Sequence, residues 1–282
     1  LAPAKINLVL SILHRRADGY HELYTVFQKI SLCDRVQISL LRKPGVDKDV
    51  LEIYGDIVVP KNGGNLCLRA LKRFSKEVGP LPPVKIKLYK KIPTGAGLGG
   101  GSSDAAAVLL GLNFLLNNPL SERALLRLGR DLGADVPFFI FSHPTALGRG
   151  IGDELAPWPC FKAWYVLVFP GFSISTAWAY QNLRLTSSQK PPNYEPAQPL
   201  WHQGLINDFE PVVFKKYPVL KDIKERLRQL GAVASLLSGS GATVFGIFLS
   251  AMKAHEARKE MGKQGFKAVV TTNYQEGDLL CS

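Results

Sequence analysis

Five glycines fall within the seven residues from Gly95 to Gly101, and the chain then runs through Ser102 and Ser103 into Asp104-Ala105-Ala106-Ala107. A glycine run that feeds an alanine-rich helix start constrains the fold strongly. The backbone must take conformations closed to other residues and then enter a helix whose first amides have no intrahelical acceptor. Those free amides and the helix dipole both face negative charge, so the junction suits a phosphate. A plain flexible turn needs neither so many glycines nor two following serines. No Gly-Lys-Ser/Thr closes the loop, so it is not a P-loop, and the triplet Gly95, Gly97, Gly100 carries little information inside a glycine run. The positive charge that compensates a phosphate must come from elsewhere.

One source is the first strand. From Ala4 to Ile12 the even positions are all apolar and the odd ones include Lys5, Asn7 and Ser11, the period of a half-buried strand with Lys5 and Asn7 on one face. Arg35 to Leu40 and Val84 to Tyr89 alternate in the same way and are expected in the same sheet. Asn65 can cap a helix reaching about Val78, with Leu66, Ala70, Leu71, Phe74 and Val78 on its buried stripe. Ser103 to Leu116 and Ser121 to Leu132 read as two more helices, the second stopped by Gly133.

After about Gly152 the pattern restarts. Trp164 to Phe169 reads as a strand, and Thr186 to Pro199 as a Pro-, Ser- and Gln-rich surface loop. Val219, Ile223, Leu227 and Leu230 are spaced for a helix ending at Gly231. Strands are expected over Ala232 to Leu237, Thr243 to Leu249 and Phe266 to Thr271, with a helix over Ser250 to Met261. Helices and strands mixed in both halves give an α+β class, with an N-terminal domain over 1–155, a C-terminal domain over 156–282 and the active site in the cleft between them.

Composition narrows the function. The length of 282 residues allows about two domains, and 46% apolar with 21% charged residues is ordinary for a globular protein. No run approaches the roughly 18 apolar residues of a membrane span. Cys33, Cys67, Cys160 and Cys281 show no paired metal-ligand spacing, which speaks for reduced thiols and against a zinc site. The net charge of +12 is spread over Arg15-Arg16, Lys85 to Lys91, Lys215-Lys216 and Lys221 to Arg228, with no single tract. That distribution favours an anionic small molecule, or simple solubility, over nucleic acid or a membrane surface. The chain opens at Leu1 with no signal or transit pattern, so a bacterial cytoplasmic protein is expected, monomeric or weakly dimeric.

Four segments, in this order, resemble the GHMP small-molecule kinase superfamily: Ala2-Pro3-Ala4-Lys5-Ile6-Asn7-Leu8, the loop from Pro93 to Ser103, Gly133-Ala134-Asp135-Val136-Pro137-Phe138-Phe139, and Leu237-Ser238-Gly239-Ser240-Gly241-Ala242-Thr243-Val244-Phe245. Together with Arg16-Ala17-Asp18-Gly19-Tyr20-His21-Glu22-Leu23, they resemble the branch acting on a cytidine diphosphate-linked methylerythritol in non-mevalonate isoprenoid synthesis. The resemblance implies a two-domain fold, with a ribosomal-protein-S5-like N-terminal domain and a ferredoxin-like C-terminal domain. It also implies ATP with Mg2+ and transfer of a phosphoryl group to an alcohol.

By the same resemblance, Pro93, Thr94, Gly95, Ala96, Gly97, Leu98, Gly99, Gly100, Gly101, Ser102 and Ser103 hold the ATP phosphates, and Asn65, a helix cap first, adds an adenine-side contact. Lys5 and Asp135 are the catalytic pair, although alone they read as a snorkelling lysine and a cap or turn residue. A carboxylate beside a cation is a weak base, so Asp135 is expected to work partly by orienting the hydroxyl. Asn7 would hydrogen-bond the polyol, and Gly239, Ser240 and Gly241 would close on the acceptor side. Tyr20, His21 and Tyr180 would form an aromatic site for cytosine, with Thr176 nearby. Ser142-His143-Pro144 stands where related chains often have a glycine and a basic residue, which leaves open what supplements Lys5. A homoserine, mevalonate or sugar kinase would not need the Asp-Gly-Tyr-His segment, and an RNA-binding module would leave Lys5, Asp135 and both glycine loops unexplained.

Overall fold

The computed structural model describes residues 1–41, 48–159, 161–183, 191–192 and 201–275. The first half contains β1 (Ala2–Arg15), β2 (His21–Leu40), β3 (Val50–Tyr54), α1 (Leu66–Val78), β4 (Val84–Tyr89), α2 (Gly100–Leu115), α3 (Glu122–Leu132), α4 (Val136–Ile140), β5 (Thr145–Arg149) and β6 (Glu154–Pro157). These strands make one sheet in the order β3-β4-β2-β5-β6, with β1 antiparallel to β2 and only β3-β4 parallel. The second half contains β7 (Trp164–Phe169), α5 (Thr176–Asn182), a 3₁₀ turn (Trp201–Gly204), α6 (Glu210–Lys216), α7 (Pro218–Gln229), β8 (Ala234–Leu237), β9 (Val244–Phe248), α8 (Ala251–Lys263) and β10 (Lys267–Thr272). Its strands form an antiparallel sheet in the order β10-β7-β9-β8.

The caps follow the sequence. Asn65 Oδ1 accepts from Cys67 N at the start of α1, Ser121 caps α3, and Ser250 caps α8. The apolar stripe of α1 is buried at Cys67, Ala70, Leu71 and Phe74 against α2, whose alanines permit a close approach. One core lies under these helices and the first sheet, and another lies between α5 to α8 and the second sheet. A third joins the two sheets, bringing Ala4, Ile6 and Leu8 together with Tyr165, Leu236 and Phe245.

That shared core explains one departure from the sequence pattern. β1 is buried on both faces, not one, and Lys5, Asn7 and Ser11 are only 5%, 2% and 2% exposed. The second half packs on Ala4, Ile6 and Leu8, and the polar side chains find partners of their own: Lys5 and Asn7 at Asp135 and Thr25 of the first half, and Ser11 in the second half, donating to Asp208 Oδ2 at 3.0 Å. A second departure concerns α2, which starts at Gly100, three residues before Ser103, with left-handed Gly99 at its cap. The surface loop expected at Thr186 to Pro199 lies, apart from residues 191–192, outside the described residues, as do Cys160 and Cys281. Cys67 is a free thiol, and burial pushes it well above its ordinary range.

Candidate active site

A cavity of about 1280 Å³ opens between the two halves, and the separated sequence segments meet on its wall. The loop before α2 is held from both sides. Leu98 O accepts from Lys5 N at 2.9 Å, Gly97 O accepts from Ser238 Oγ at 3.0 Å, and Ala96 O accepts from Thr243 N at 3.3 Å. Gly97 has φ +75°, and a Cβ there would stand 2.0 Å from Ser238 O. Gly99 has φ +69°, with Phe139 at 2.9 Å and Lys5 Cγ at 3.1 Å from where a Cβ would be. Only glycine fits either place.

The first intrahelical bond of α2 runs from Ser103 N to Gly99 O at 2.9 Å. The amides of Gly100, Gly101 and Ser102 therefore precede the helical ladder, and all three residues line the cavity. Backbone amides left free at a helix start suit an anion such as a phosphate.

Lys5 Nζ donates to Asn7 Oδ1 at 2.7 Å and stands 3.6 Å from Asp135 Oδ2. Asn7 Nδ2 donates in turn to Thr25 Oγ1 at 2.8 Å, and that hydroxyl donates to Val9 O at 2.7 Å. The Lys5 ammonium also lies 5.6 Å from the centre of the Phe27 ring. Asp135 occupies the N-cap position of α4 but makes no capping hydrogen bond. Its side chain, 34% exposed, is turned towards Lys5 in the cavity. Lys5 is buried and does not snorkel to solvent, whereas Asp135 does sit in a turn at the start of α4, its side chain free of any capping bond.

On the far wall the His21 ring stacks on Tyr180, with centroids 4.8 Å apart and planes at 24°. Tyr180 meets Phe209 edge-on at 4.9 Å. Burial, with a smaller push from the Asp135 charge, raises the Tyr180 phenol to about 12, so it stays protonated. Burial, then the nearby Arg15, lowers His21 below its ordinary value, favouring a neutral imidazole. Tyr20 borders the cavity with 61% of its surface exposed. Thr176 and Ser240 share a hydroxyl hydrogen bond of 2.8 Å, linking α5 to the second glycine turn.

Residues 65–143 match the GHMP kinases N terminal domain and residues 195–267 the GHMP kinases C terminal domain. A protein of Geotalea daltonii called 4-diphosphocytidyl-2-C-methyl-D-erythritol kinase is 44% identical over 276 residues, covering 96% of this chain and 97% of the relative. The chain belongs to the GHMP kinase family. Within it, the chain falls in the 4-diphosphocytidyl-2-C-methyl-D-erythritol kinase branch. A relative of that name from Citrifermentans bemidjiense is 46% identical over 283 residues, covering 96% of this chain and 98% of its own. A crystal structure of 4-(cytidine 5'-diphospho)-2C-methyl-D-erythritol kinase superposes with a TM-score of 0.83 at 36% identity, covering 98% and 99% of the two chains.

Three residues singled out in the kinase sequence lie elsewhere than on the cavity wall: Asn65, Ser103 and Gly241. Asn65 is 6% exposed and uses both ends of its amide, accepting from Cys67 N and donating to Pro60 O at 2.7 Å, so it shapes the turn before α1. Ser103 is buried inside α2, and its Oγ has no hydrogen-bond partner. Gly241 closes the second glycine turn by donating to Ser238 O at 2.9 Å. Asn7 does line the cavity, yet its amide is engaged by Lys5 and Thr25, making it a holder of Lys5.

The kinase also depends on residues that the sequence pattern did not mark. Asn207 Nδ2 donates to Leu237 O at 2.7 Å and Gly239 O at 2.8 Å, and Glu210 Oε1 accepts from Leu237 N at 2.9 Å. Asp208 Oδ2 accepts from Ile12 N at 2.7 Å, tying the same segment to β1. Asn207, Asp208 and Glu210 fix the second glycine turn against the Lys5 strand. The available signal was three polar residues, Asn207, Asp208 and Glu210, set inside the otherwise apolar run from Leu205 to Phe214. Arg15 and Lys90 also border the cavity, Lys90 with its ammonium engaged by Asp34 and Asp104, whereas His143 stacks on Phe141 away from it.

Proposed function

We propose that the chain transfers the terminal phosphoryl group of ATP to the 2-hydroxyl of 4-diphosphocytidyl-2-C-methyl-D-erythritol, giving the 2-phosphate and ADP in the methylerythritol phosphate route to isoprenoid precursors. The observation that carries this reading is the convergence in one cavity of the Lys5-Asp135 pair, the free amides of residues 100–102 and the His21-Tyr180 aromatic pair.

The free amides of Gly100, Gly101 and Ser102 bind the phosphates, and Gly97 and Gly99 let the chain close over them. Asp135 accepts a hydrogen bond from the 2-hydroxyl and aims its oxygen at the terminal phosphorus. As the new P–O bond forms and the bond to ADP breaks, the hydroxyl proton passes to Asp135 or to solvent. Lys5 stabilises the charge growing on the transferring group. Cytosine reads the neutral His21 edge and the Tyr20 and Tyr180 faces, while Thr176 and the turn at Gly239, Ser240 and Gly241 close on the acceptor.

No group of three or more His, Cys, Asp or Glu among the described residues could hold a metal alone. The donors fit a Mg2+ that arrives on the nucleotide phosphates, with Asp135 and Ser102 supplying protein oxygens, and it would neutralise phosphate charge during transfer. We assign residues 1–155 to the nucleotide-binding domain and 156–282 to the acceptor-side domain. No helix among the described residues is long and apolar enough to cross a membrane. The kinase acts, in this reading, as a monomer or weak homodimer in the bacterial cytoplasm, without nucleic acid.

Release of ADP with Mg-ATP and the cytidyl alcohol, with homoserine and mevalonate as controls, tests the reading. Turnover with the cytidyl alcohol alone supports it, and turnover only with a control alcohol overturns the cytidine assignment.

A further inference from the structure

Behind the phosphate cradle lies a buried charge cluster that the transfer chemistry does not use. Lys90 directly follows β4, its side chain only 1% exposed, and it donates to Asp34 Oδ2 and, at 2.7 Å, to Asp104 Oδ2. The two carboxylates come from opposite sides of the loop. Asp34 sits in β2, and its Oδ1 accepts from the amides of Lys91 at 2.5 Å and Ile92 at 2.9 Å, the two residues just before Pro93. Asp104 sits near the start of α2, one residue past Ser103. One carboxylate therefore grips the strand running into the loop and the other grips the helix leaving it. A single ammonium joins them. A Cβ on Gly100 would stand 3.4 Å from Lys90 Nζ, which puts the ammonium under the first turn of α2.

Stability alone does not account for such a cluster. Removing three ions from water is costly, and apolar side chains of similar volume often serve stability as well or better. Asp104 Oδ1 is buried without a hydrogen-bond partner, so the carboxylate is not placed where its own pairing is best. Burial raises Asp104 to about 7 against the pull of Lys90, and the neighbouring Asp34 charge adds to the rise. Burial opposes the Lys90 charge too, but the two carboxylates outweigh it and keep the ammonium protonated. What ions supply and apolar groups do not is hydrogen bonds of fixed direction between two backbone segments.

We propose that Lys90, clasped between Asp34 and Asp104, is a positioning residue for nucleotide binding, fixing the strand before the phosphate loop to the helix after it so that the amides of residues 100–102 are set before the nucleotide arrives. This rests on the ATP reading above. Preorganisation of this kind saves the ordering cost of binding and appears in nucleotide affinity more than in the chemical step.

Asp104→Ala tests it with little risk to folding, because alanine suits a helix interior and the Lys90-Asp34 pair that remains is balanced in charge. Calorimetric titration with ATP and with ADP, together with steady-state kinetics, should show nucleotide binding weakened by about 10-fold while KM for the cytidyl alcohol stays within about two-fold. Hydrogen exchange of amides 94–103 in the nucleotide-free protein should quicken, and should return to the wild-type rate when ADP saturates the site. Should Asp104→Ala not fold, Asp104→Leu, which keeps the branched shape of the side chain without an acceptor for Lys90, decides by the same measurements. Nucleotide affinity and loop exchange equal to wild type in a folded variant would make the cluster merely structural and overturn the proposal. A wild-type protein that neither binds nor turns over ATP would instead defeat the nucleotide reading itself, and this proposal with it.

Discussion

Lys5 donates to Asn7 at 2.7 Å and stands 3.6 Å from Asp135, so its ammonium is held by the amide and aimed at the carboxylate. Both ends of the Asn7 amide are occupied, the second by Thr25. The lysine is thereby kept in one rotamer inside a buried strand, where an ammonium without partners would be expensive. Its remaining donor capacity faces the cavity.

Asp135→Ala and Lys5→Met should each lower kcat by roughly 10² or more, since each removes a group that acts on the reacting atoms. Asp135→Asn separates the two possible duties of the carboxylate. Orientation alone would leave much of kcat in this variant, whereas proton acceptance would leave it as slow as the alanine form. Single-turnover ADP formation reads the difference.

Asn7→Ala should act on kcat through Lys5, lowering it by about 10-fold with KM for the alcohol nearly unchanged, because a misplaced catalytic group slows the step more than it weakens binding. A rise in KM for the alcohol at constant kcat would make Asn7 a substrate ligand instead. Steady-state kinetics at saturating ATP suffices.

Gly97→Ala brings a methyl group within 2.0 Å of Ser238 O at a residue with φ +75°, so the loop and the second glycine turn must part. Overpacking of this sort costs about 1–3 kcal/mol or more. The expected result is a lower thermal midpoint and loss of ATP binding, read by calorimetry. Gly19→Ala is a useful control: it has a positive φ too, but nothing lies within 4 Å of its would-be Cβ.

The His21 imidazole is held below its ordinary value of 6.5, first by burial and then by Arg15. The folded state thus prefers the neutral ring: its contribution to stability is present above the ordinary value and is lost as pH falls through the lowered one. Affinity for the cytidyl alcohol should fall over the same acidic range, as the ring loses its acceptor nitrogen. In His21→Gln that pH dependence of KM should disappear, and its persistence would place the titrating group elsewhere.

Much of this fold can be read from local patterns. The alternation in β4, the stripe of α1 and the cap at Asn65 are consequences of neighbouring residues alone, and the structure has them where the pattern puts them. The double burial of β1 could not be read this way, because Ala4, Ile6 and Leu8 are covered from the other half of the chain and Lys5 and Asn7 by Asp135 and Thr25, all far away in sequence. Asn207 and Asp208 were hidden for the same reason, since their partners Gly239 and Ile12 lie far away in sequence. Lys90 continues the buried parity of Val84, Ile86 and Leu88, and only the approach of Asp34 and Asp104 shows what holds its charge there. In the site, motif residues were legible as types, whereas the hydrogen bonds that engage the amides of Asn65 and Asn7 were not.

The two halves meet at the active site through bare backbone. Ser238 O lies where a side chain on Gly97 would begin, and a Cβ on Gly239 would stand 3.2 Å from Gly97 O. A seam between side chains can be repaired one substitution at a time, with a larger residue on one side answering a smaller one on the other. This seam offers no such adjustment, so a hybrid enzyme joined from two relatives will work only if both parents kept glycine on their own side of it.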